Sequence, residues 1–254
     1  MRKYLNIFDQ TLKKNRLKVI IKKVFRRFES KRIDRKVLTS WLNQNKIDLS
    51  KYLKKIDNEL WVESKNESEK IDDIGNKKLQ KLNLKLGGGA NLLLLYFLVR
   101  KFKPKIVIET GVAAGFSSLS ILTAMKKNNY GCLYSSDFPY FRIKNPEKYI
   151  GYIIDEKFKN WKLFIEGDDL NLPIILNQIE GKIDIFHYDS DKTFSGKKNT
   201  YKLIKPYLGG KSLLIFDDIQ DDGFFKVFVE KFDFNYKIFK SKGKYIGLAS
   251  KDKL

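Results

Sequence analysis

The segment KIVIETGVAAGFSS at residues 105–118 constrains the fold of this 254-residue chain more than any other. Its first five residues favour a short buried β-strand, and a turn containing Gly111 and Gly115 follows directly and leads into a helix. Glycines let the backbone approach a ligand closely, and the start of a helix offers free N–H groups. The segment therefore predicts a parallel α/β unit whose glycine loop binds a ligand.

The same alternation continues along the chain. Four more β-rich runs follow, namely CLYSSD (132–137), KLFIEGD (162–168), KIDIFHYD (182–189) and KSLLIFDD (211–218), and the segments between them are long enough for crossover helices. The tail YKIFKSKGKYIGLAS has two strand-like runs joined at Lys242 and Gly243, which is typical of an antiparallel hairpin. We therefore predict a doubly wound, mostly parallel seven-stranded sheet with a C-terminal antiparallel hairpin.

Residues 1–80 differ in character from the rest and are predicted to be a basic helical N-terminal extension with a linker or lid. Apolar residues recur at helical spacing between lysines and arginines, at Leu17, Ile20, Ile21, Val24, Phe25 and Phe28. This face could pack on residues 81–254 or on a second copy in a homodimer, or it could contact an anionic membrane or nucleic acid. The polar stretch Glu63 to Lys78 is expected to be an exposed linker or a mobile lid segment.

Charge and cysteine content set limits on the function. The formal net charge of +21 arises from 51 basic and 30 acidic residues, but the lysine-rich skew is also what an AT-rich coding genome produces, so it does not establish a polyanionic partner. The single cysteine, Cys132, excludes an internal disulfide and a multi-thiolate metal site. It fits a reducing compartment, and the charged N-terminal residues lack a signal-peptide core, so we expect a cytoplasmic protein.

The residues that end the first three strands are the first candidate ligand site, because open α/β sheets bind ligands at the carboxyl ends of their strands. The loop after Glu109 reads E-x-G-x-x-x-G-x-S and lacks the G-x-G-x-x-G pattern of dinucleotide binding, which suits a cofactor with an amino-acid end and no pyrophosphate. Asp137, followed by Phe138, could accept the hydroxyls of a ribose. The run Gly167-Asp168-Asp169 could face an adenine, and a solvated turn is the alternative for its two aspartates.

The fourth and fifth strands end in a second acidic group. Parallel neighbouring strands would bring Asp189, Asp217 and Asp218 together. Their carboxylate oxygens are ligands that suit Mg²⁺ or a similar cation. The three carboxylates also repel each other unless a cation compensates their charge. Lys192 is either a base toward a substrate hydroxyl or an ion-pair partner of Asp191. The only histidine, His187, is either a general base or a packed strand residue.

Several of these motifs resemble one family. The D-S-D-K run that begins at Asp189, the L-I-K-P-Y-L-G-G turn, the pair Asp217-Asp218 and the loop of Glu109 resemble segments of class I S-adenosylmethionine-dependent O-methyltransferases of the metal-dependent catechol and caffeoyl-CoA type. The resemblance covers about residues 87–250. It implies that Asp189, Asp217 and Asp218 bind a metal and that Lys192 is the base. The family commonly has Asn where this chain has Asp218, and related bacterial sugar and small-molecule O-methyltransferases often have D-x-D-H instead of D-x-D-K.

The resemblance implies a Rossmann-like fold and a methyltransferase domain at 81–254. It also implies transfer of a methyl group from S-adenosylmethionine to a hydroxyl oxygen of a small-molecule acceptor, such as a sugar or a phenol, with or without a divalent metal. The catalytic candidates are Lys192, Asp189 and His187. The cofactor candidates are Glu109, Gly111, Gly115, Ser117, Asp137, Phe138, Gly167, Asp168, Asp169 and Asp189. The alternatives are methylation of a nucleic acid docked by the basic N-terminus and a non-catalytic scaffold on the same fold.

Overall fold

The computed structural model describes residues 16–26, 33–82, 84, 86, 90–140 and 142–254. Phe28 of the predicted first helix and the glycines at 87–89 lie outside the described residues. Within the described ranges, no helix has both the length and the apolar character needed to cross a membrane.

Helices and strands mostly alternate from residue 92 onward. The helices are α1 (Arg16–Arg26), α2 (Arg35–Asn45), α3 (Leu49–Ile56), α4 (Asn58–Gln80), α5 (Leu92–Phe102), α6 (Phe116–Asn128), α7 (Asp168–Gln178), α8 (Phe194–Ile204) and α9 (Phe224–Phe232). The strands are β1 (Lys46–Ile47), β2 (Ile106–Thr110), β3 (Cys132–Ser136), β4 (Trp161–Phe164), β5 (Ile183–Tyr188), β6 (Leu208–Phe216), β7 (Asn235–Ser241) and β8 (Lys244–Ser250). The exceptions to the alternation are between β3 and β4 and in the final hairpin of β7 and β8.

Polar side chains determine where the helices before β2 begin. The carboxylates of Asp34, Asp48 and Asp57 accept backbone N–H bonds from the first turns of α2, α3 and α4, and Asn91 does the same for α5. Each such cap satisfies N–H groups that a helix leaves unpaired and contributes about 1 kcal/mol. Because Asp57 has extended backbone at the end of α3, α3 and α4 are two separate helices.

The strands form one sheet in the order β1-β7-β8-β6-β5-β2-β3-β4. Strand β8 pairs antiparallel with both β6 and β7, and the remaining neighbours pair in parallel. The predicted doubly wound sheet with a C-terminal hairpin is confirmed. It has eight strands where seven were predicted, because the two-residue strand β1 of the N-terminal region adds to β7 at the edge.

Each face of the sheet carries its own apolar core. One core contains Leu42 of α2, Leu172 of α7 and Phe228 of α9. The other contains Leu53 of α3, Ile71 of α4 and residues of α5 and α6. The region before residue 81 therefore supplies buried side chains to both faces of the sheet.

The stretch Glu63 to Lys78 is not an irregular linker, because it lies within the continuous helix α4. A role as a lid stays a prediction. The polar surface of α4 is covered by helical ion pairs such as Lys77 with Asp73 at 2.7 Å. Its narrow buried side includes Ile71 and Gly75. Gly75 lets α4 approach the ring of Phe116, so few apolar residues are needed to pack this helix on the domain. For the same reason the sequence of α4 has only a weak amphipathic pattern.

Helix α1 packs on the α/β domain, one of the alternatives left open by the sequence. Val19 and Ile20 form a small buried cluster with Phe138 and the partly buried Leu170. Leu17, Ile21 and Phe25 remain exposed on the other side of the helix.

Candidate functional site

The loop between β2 and α6 lies at the carboxyl edge of the sheet, beside the end of β5. Gly111 has φ +88°, and a Cβ there would lie 2.3 Å from the carbonyl oxygen of Asp189, so only glycine fits. Helix α6 begins after Gly115 without a side-chain cap, which leaves the N–H groups of its first turn to other acceptors. Gly115 likewise has a positive φ, +102°, and a Cβ there would lie 2.9 Å from Cα of Gly151.

Glu109 lies inside the sheet beneath this loop. Its side chain is fully buried, and its Oε2 accepts hydrogen bonds from the hydroxyls of Ser118 at 2.5 Å and Ser135 at 3.0 Å. Ser117 is buried as well. In this position Glu109 ties the loop helix to β3, and its predicted part in cofactor binding stays a prediction.

Asp137 and Asp168 hold the ends of three strands together. Asp137 Oδ2 accepts the backbone N–H of Ala113 in the glycine loop at 2.7 Å. Asp168 accepts a hydrogen bond from Ser136 at the end of β3 at 2.6 Å, and another from Ser190 after β5 at 2.5 Å. The structure therefore brings the predicted cofactor residues of β2, β3 and α7 to one place on the carboxyl edge.

Helix α1 covers the side of this site where Gly167, Asp169 and Phe138 lie. A Cβ on Gly167 would lie 3.1 Å from Val19 of α1. Asp169 forms ion pairs with Lys22 at 2.8 Å and Arg26 at 3.4 Å. The positive charge of the helix is thus partly directed onto acidic residues of the same chain.

His187 is fully buried in β5 between two carboxylates. Its Nδ1 lies 3.6 Å from Oε1 of Glu109, and its Nε2 lies 3.7 Å from Oδ2 of Asp217. Neither ring nitrogen has a hydrogen-bond partner within the described part of the chain, so the contacts are between charges. Burial alone lowers the pKa of His187, but Asp217 and Glu109 outweigh it and raise the pKa to about 10. A buried imidazolium fits a packed strand residue better than a general base.

Asp189 follows β5 and is partly buried beside the glycine loop. Its backbone N–H donates to the carbonyl oxygen of Thr110 at 2.9 Å. Burial, and then the charge of Asp217, raise the pKa of Asp189 to about 7.

Asp218 is enclosed by donors from three segments. Lys192 forms an ion pair with its Oδ2, Lys244 Nζ lies 3.3 Å from its Oδ1, and Gln220 donates to Oδ1 at 3.2 Å. Burial alone would raise the pKa of Asp218, but Lys192 and Lys244 hold it below its usual value. The partner of Lys192 is therefore Asp218, while Asp191 pairs with Arg26 at 2.6 Å.

The predicted metal site at Asp189, Asp217 and Asp218 lacks support from this arrangement. Among the described residues, no three His, Cys, Asp or Glu side chains are grouped so that they could hold a metal ion. The donor set also fits poorly, because the oxygens of Asp218 already contact lysine ammonium groups.

Several residues of the site have no signature in the sequence. Asn171 is buried and donates to Ser136 Oγ at 3.0 Å, and Lys197 is buried below the Asp217-Asp218 turn. Lys244 comes from the C-terminal hairpin. A lone Asn in a helix and single lysines in a lysine-rich chain carry no spacing signal that could have identified them.

A pocket of about 580 Å³ opens at the same edge of the sheet, but beside β1 and β7. It is lined by the starts of α3 and α5 and by the turn at 240–242. Strands β8, β6 and β5 separate it from β2, so it is not the place of the glycine loop.

Residues 108–219, from within β2 to just after the Asp217-Asp218 turn, match the family model of a methyltransferase domain. The fold is that of a class I methyltransferase. No curated protein matches the chain by sequence. The match to the family model confirms the predicted resemblance to class I methyltransferases.

Solved structures similar to this methyltransferase fold share little sequence with it. The O-methyltransferase TomG from Streptomyces achromogenes, in complex with SAM, superposes with a TM-score of 0.56 and 12% identity over 72% of this chain and 89% of that one. An SAH-bound methyltransferase from Podospora anserina has a TM-score of 0.54 and 14% identity over 72% and 88% of the two chains. An SAH complex of an O-methyltransferase from Bacillus cereus has a TM-score of 0.55 and 11% identity over 71% and 90%. At these identities the likeness is one of fold.

Proposed function

We propose that this protein transfers the methyl group of S-adenosylmethionine to a hydroxyl oxygen of a small-molecule acceptor. The observation that carries the proposal is the meeting of three elements at one point of the carboxyl edge. The glycine loop contacts the backbone of Asp189 at Gly111, and its Ala113 N–H is bound by Asp137. This is the place where an open α/β sheet binds its ligand.

The residues present fit S-adenosylmethionine, which supplies a methyl group activated on a positively charged sulfur. The uncapped first turn of α6 offers N–H groups to the carboxylate of its amino-acid end. A partly exposed carboxylate such as that of Asp189 suits a cationic ligand that also carries hydroxyl and amino donors. The related O-methyltransferases solved with SAM or SAH support the same choice of cofactor.

Lys192 and Asp189 are suited to different roles toward the acceptor hydroxyl. Burial alone lowers the pKa of Lys192, but Asp218 more than offsets this and the pKa is raised, so Lys192 stays an ammonium group. Half of its side chain is exposed, which lets it bind the acceptor oxygen as negative charge develops there. The proton is then better accepted by Asp189, and positioning and desolvation supply the remaining acceleration.

The small-molecule acceptor is favoured over nucleic acid by the basic helix α1. Arg16 pairs with Glu147 at 2.6 Å and with Glu166 at 3.2 Å, and Arg26 pairs with Asp191. Charges engaged with the same chain are not free for a phosphate backbone. The intact glycine loop likewise favours a catalyst over a scaffold.

The first test is calorimetric titration with S-adenosylhomocysteine. We expect wild-type protein to bind at micromolar concentration and Asp137→Asn to lose at least tenfold in affinity. Asp184→Asn is the matched control, because Asp184 also accepts backbone N–H groups of the β2 region, from Lys105 and Ile106 at 2.8 Å each, but at the opposite edge of the sheet. Equal losses in both variants, or no binding by the wild type, would contradict the proposal.

The second test concerns the acceptor atom. The protein is incubated with S-adenosylmethionine carrying a labelled methyl group and with panels of phenols, sugars and matched amines. Label recovered in an ether or methoxy product supports oxygen as the acceptor, and label found only on amines or nucleic acid would refute it.

A further inference from the structure

The side chain of Asp218 is only 2% exposed, and cationic groups contact both of its oxygens. Lys192 from the loop after β5 pairs with Oδ2, and Lys244 from the start of β8 lies 3.3 Å from Oδ1 and 3.4 Å from Oδ2. The two lysines come from opposite sides of the turn, and β6 lies between β5 and β8 in the sheet. The contact is therefore a product of the fold and not of neighbouring sequence.

A second carboxylate of the group lies beside a buried histidine. Oδ2 of Asp217 faces Nε2 of the buried His187 at 3.7 Å. Two of the three carboxylates that would form a metal site thus each face a nitrogen-bearing side chain of the same protein, and at Asp218 these side chains are lysines.

Clustered carboxylates need compensating positive charge, and this need is what favours a metal when the sequence alone is considered. In the folded protein, Lys192 and Lys244 already supply this positive charge at Asp218. A Mg²⁺ ion requires near-octahedral oxygen ligands, so it would have to displace both lysines from Asp218 while lying next to their charges. The repulsion between the ion and the two ammonium groups opposes this exchange.

We propose that Lys192 and Lys244 take the place of a divalent cation at these strand ends, so that the protein binds neither Mg²⁺ nor Mn²⁺ at Asp189, Asp217 and Asp218. This inference concerns cation binding alone and does not depend on methyl transfer.

The test is titration of the full chain with Mn²⁺. Electron paramagnetic resonance measures the free ion, and calorimetry measures the heat of binding. Wild-type protein should show no saturable binding at this site. The double variant Lys192→Ala/Lys244→Ala should gain one saturable site with an affinity at least tenfold above the wild type, and adding Asp218→Asn to that variant should abolish the gain.

The matched control is Lys198→Ala/Lys202→Ala, which removes the same charge from exposed lysines of α8 and should gain nothing. Circular dichroism checks the fold, and Lys244→Ala alone, expected to show a smaller gain, serves if the double variant does not fold. Stoichiometric Mn²⁺ binding by the wild type that Asp218→Asn removes would overturn the proposal. If the folded double variant Lys192→Ala/Lys244→Ala gains no affinity for Mn²⁺, the proposal is overturned as well.

Discussion

The ammonium group of Lys197 lies 2.8 Å from Oδ2 of Asp222, and both side chains are almost entirely buried. The same ammonium lies 3.3 Å from the carbonyl oxygen of Asp217 and 3.4 Å from that of Asp218. Within the described part of the chain Asp222 Oδ2 makes this ion pair but no hydrogen bond. Lys197 therefore holds the turn that presents Asp218 to Lys192.

Replacing Lys197 with Met should lower the free energy of unfolding by about 3–5 kcal/mol, because it leaves Asp222 buried without a cation. Replacing both members, in Lys197→Met/Asp222→Leu, should recover a large part of that loss. Urea denaturation of the wild type, both single variants and the double variant measures the coupling. Additive losses would show that the pair does not stabilise the turn.

The buried His187 predicts a pH-dependent stability. Its pKa is raised from an ordinary 6.5 to about 10, so its contribution is complete below about pH 6.5 and is lost as the pH rises through about 10. The difference in unfolding free energy between wild type and His187→Gln should therefore be largest at pH 6 and smaller at pH 10, by a few kcal/mol. Titrating groups that do not interact with His187 cancel in this difference, and a difference that is constant with pH would contradict an imidazolium at this position.

Gly75 tests the close packing of α4. A Cβ at this position would lie 2.3 Å from the ring of Phe116 and 3.1 Å from Ile153. In a free helix Gly→Ala stabilises by about 1 kcal/mol, whereas overpacking a core costs about 1–3 kcal/mol, so Gly75→Ala should be destabilising overall. Gly210→Ala is the control because a Cβ there meets open space. A stabilised Gly75→Ala variant would show that α4 does not pack this closely.

Arg26 tests whether ion pairs hold helix α1 on the domain. Only 14% of its side chain is exposed, and it contacts Asp191 at 2.6 Å and Asp169 at 3.4 Å. Arg26→Gln should weaken docking by about 1 kcal/mol, which corresponds to about fivefold faster amide hydrogen exchange in α1. Lys18→Gln, on the exposed side of the same helix, should leave exchange nearly unchanged. Equal exchange in wild type and Arg26→Gln would mean that the ion pairs of Arg26 do not hold the helix, and that its other contacts do.

The sheet was predictable because its signals are local. Apolar runs of strand length, interrupted by helices and ended by glycine or carboxylate, specify parallel strands whatever lies around them, and Lys242-Gly243 specifies the hairpin turn. Strand β1 was not predicted because a run of two residues has no periodicity. These residues form a strand only because they pair with β7. Helix α4 was mistaken for a linker because it buries a narrow side between larger helices.

Some features of the candidate site were likewise predictable from the sequence, and others were not. The sequence by itself determined that acidic residues and a glycine loop gather at the carboxyl edge, because the residues that end each strand are a local property and parallel strands end at the same edge. Only the tertiary structure decided how their charges are balanced. Glu109 and Asp217 face the buried His187, and Asp218 faces lysines supplied by a loop and by the C-terminal hairpin. Charge compensation depends on distances of a few ångströms between segments far apart in the chain, and no pattern along the sequence encodes those distances.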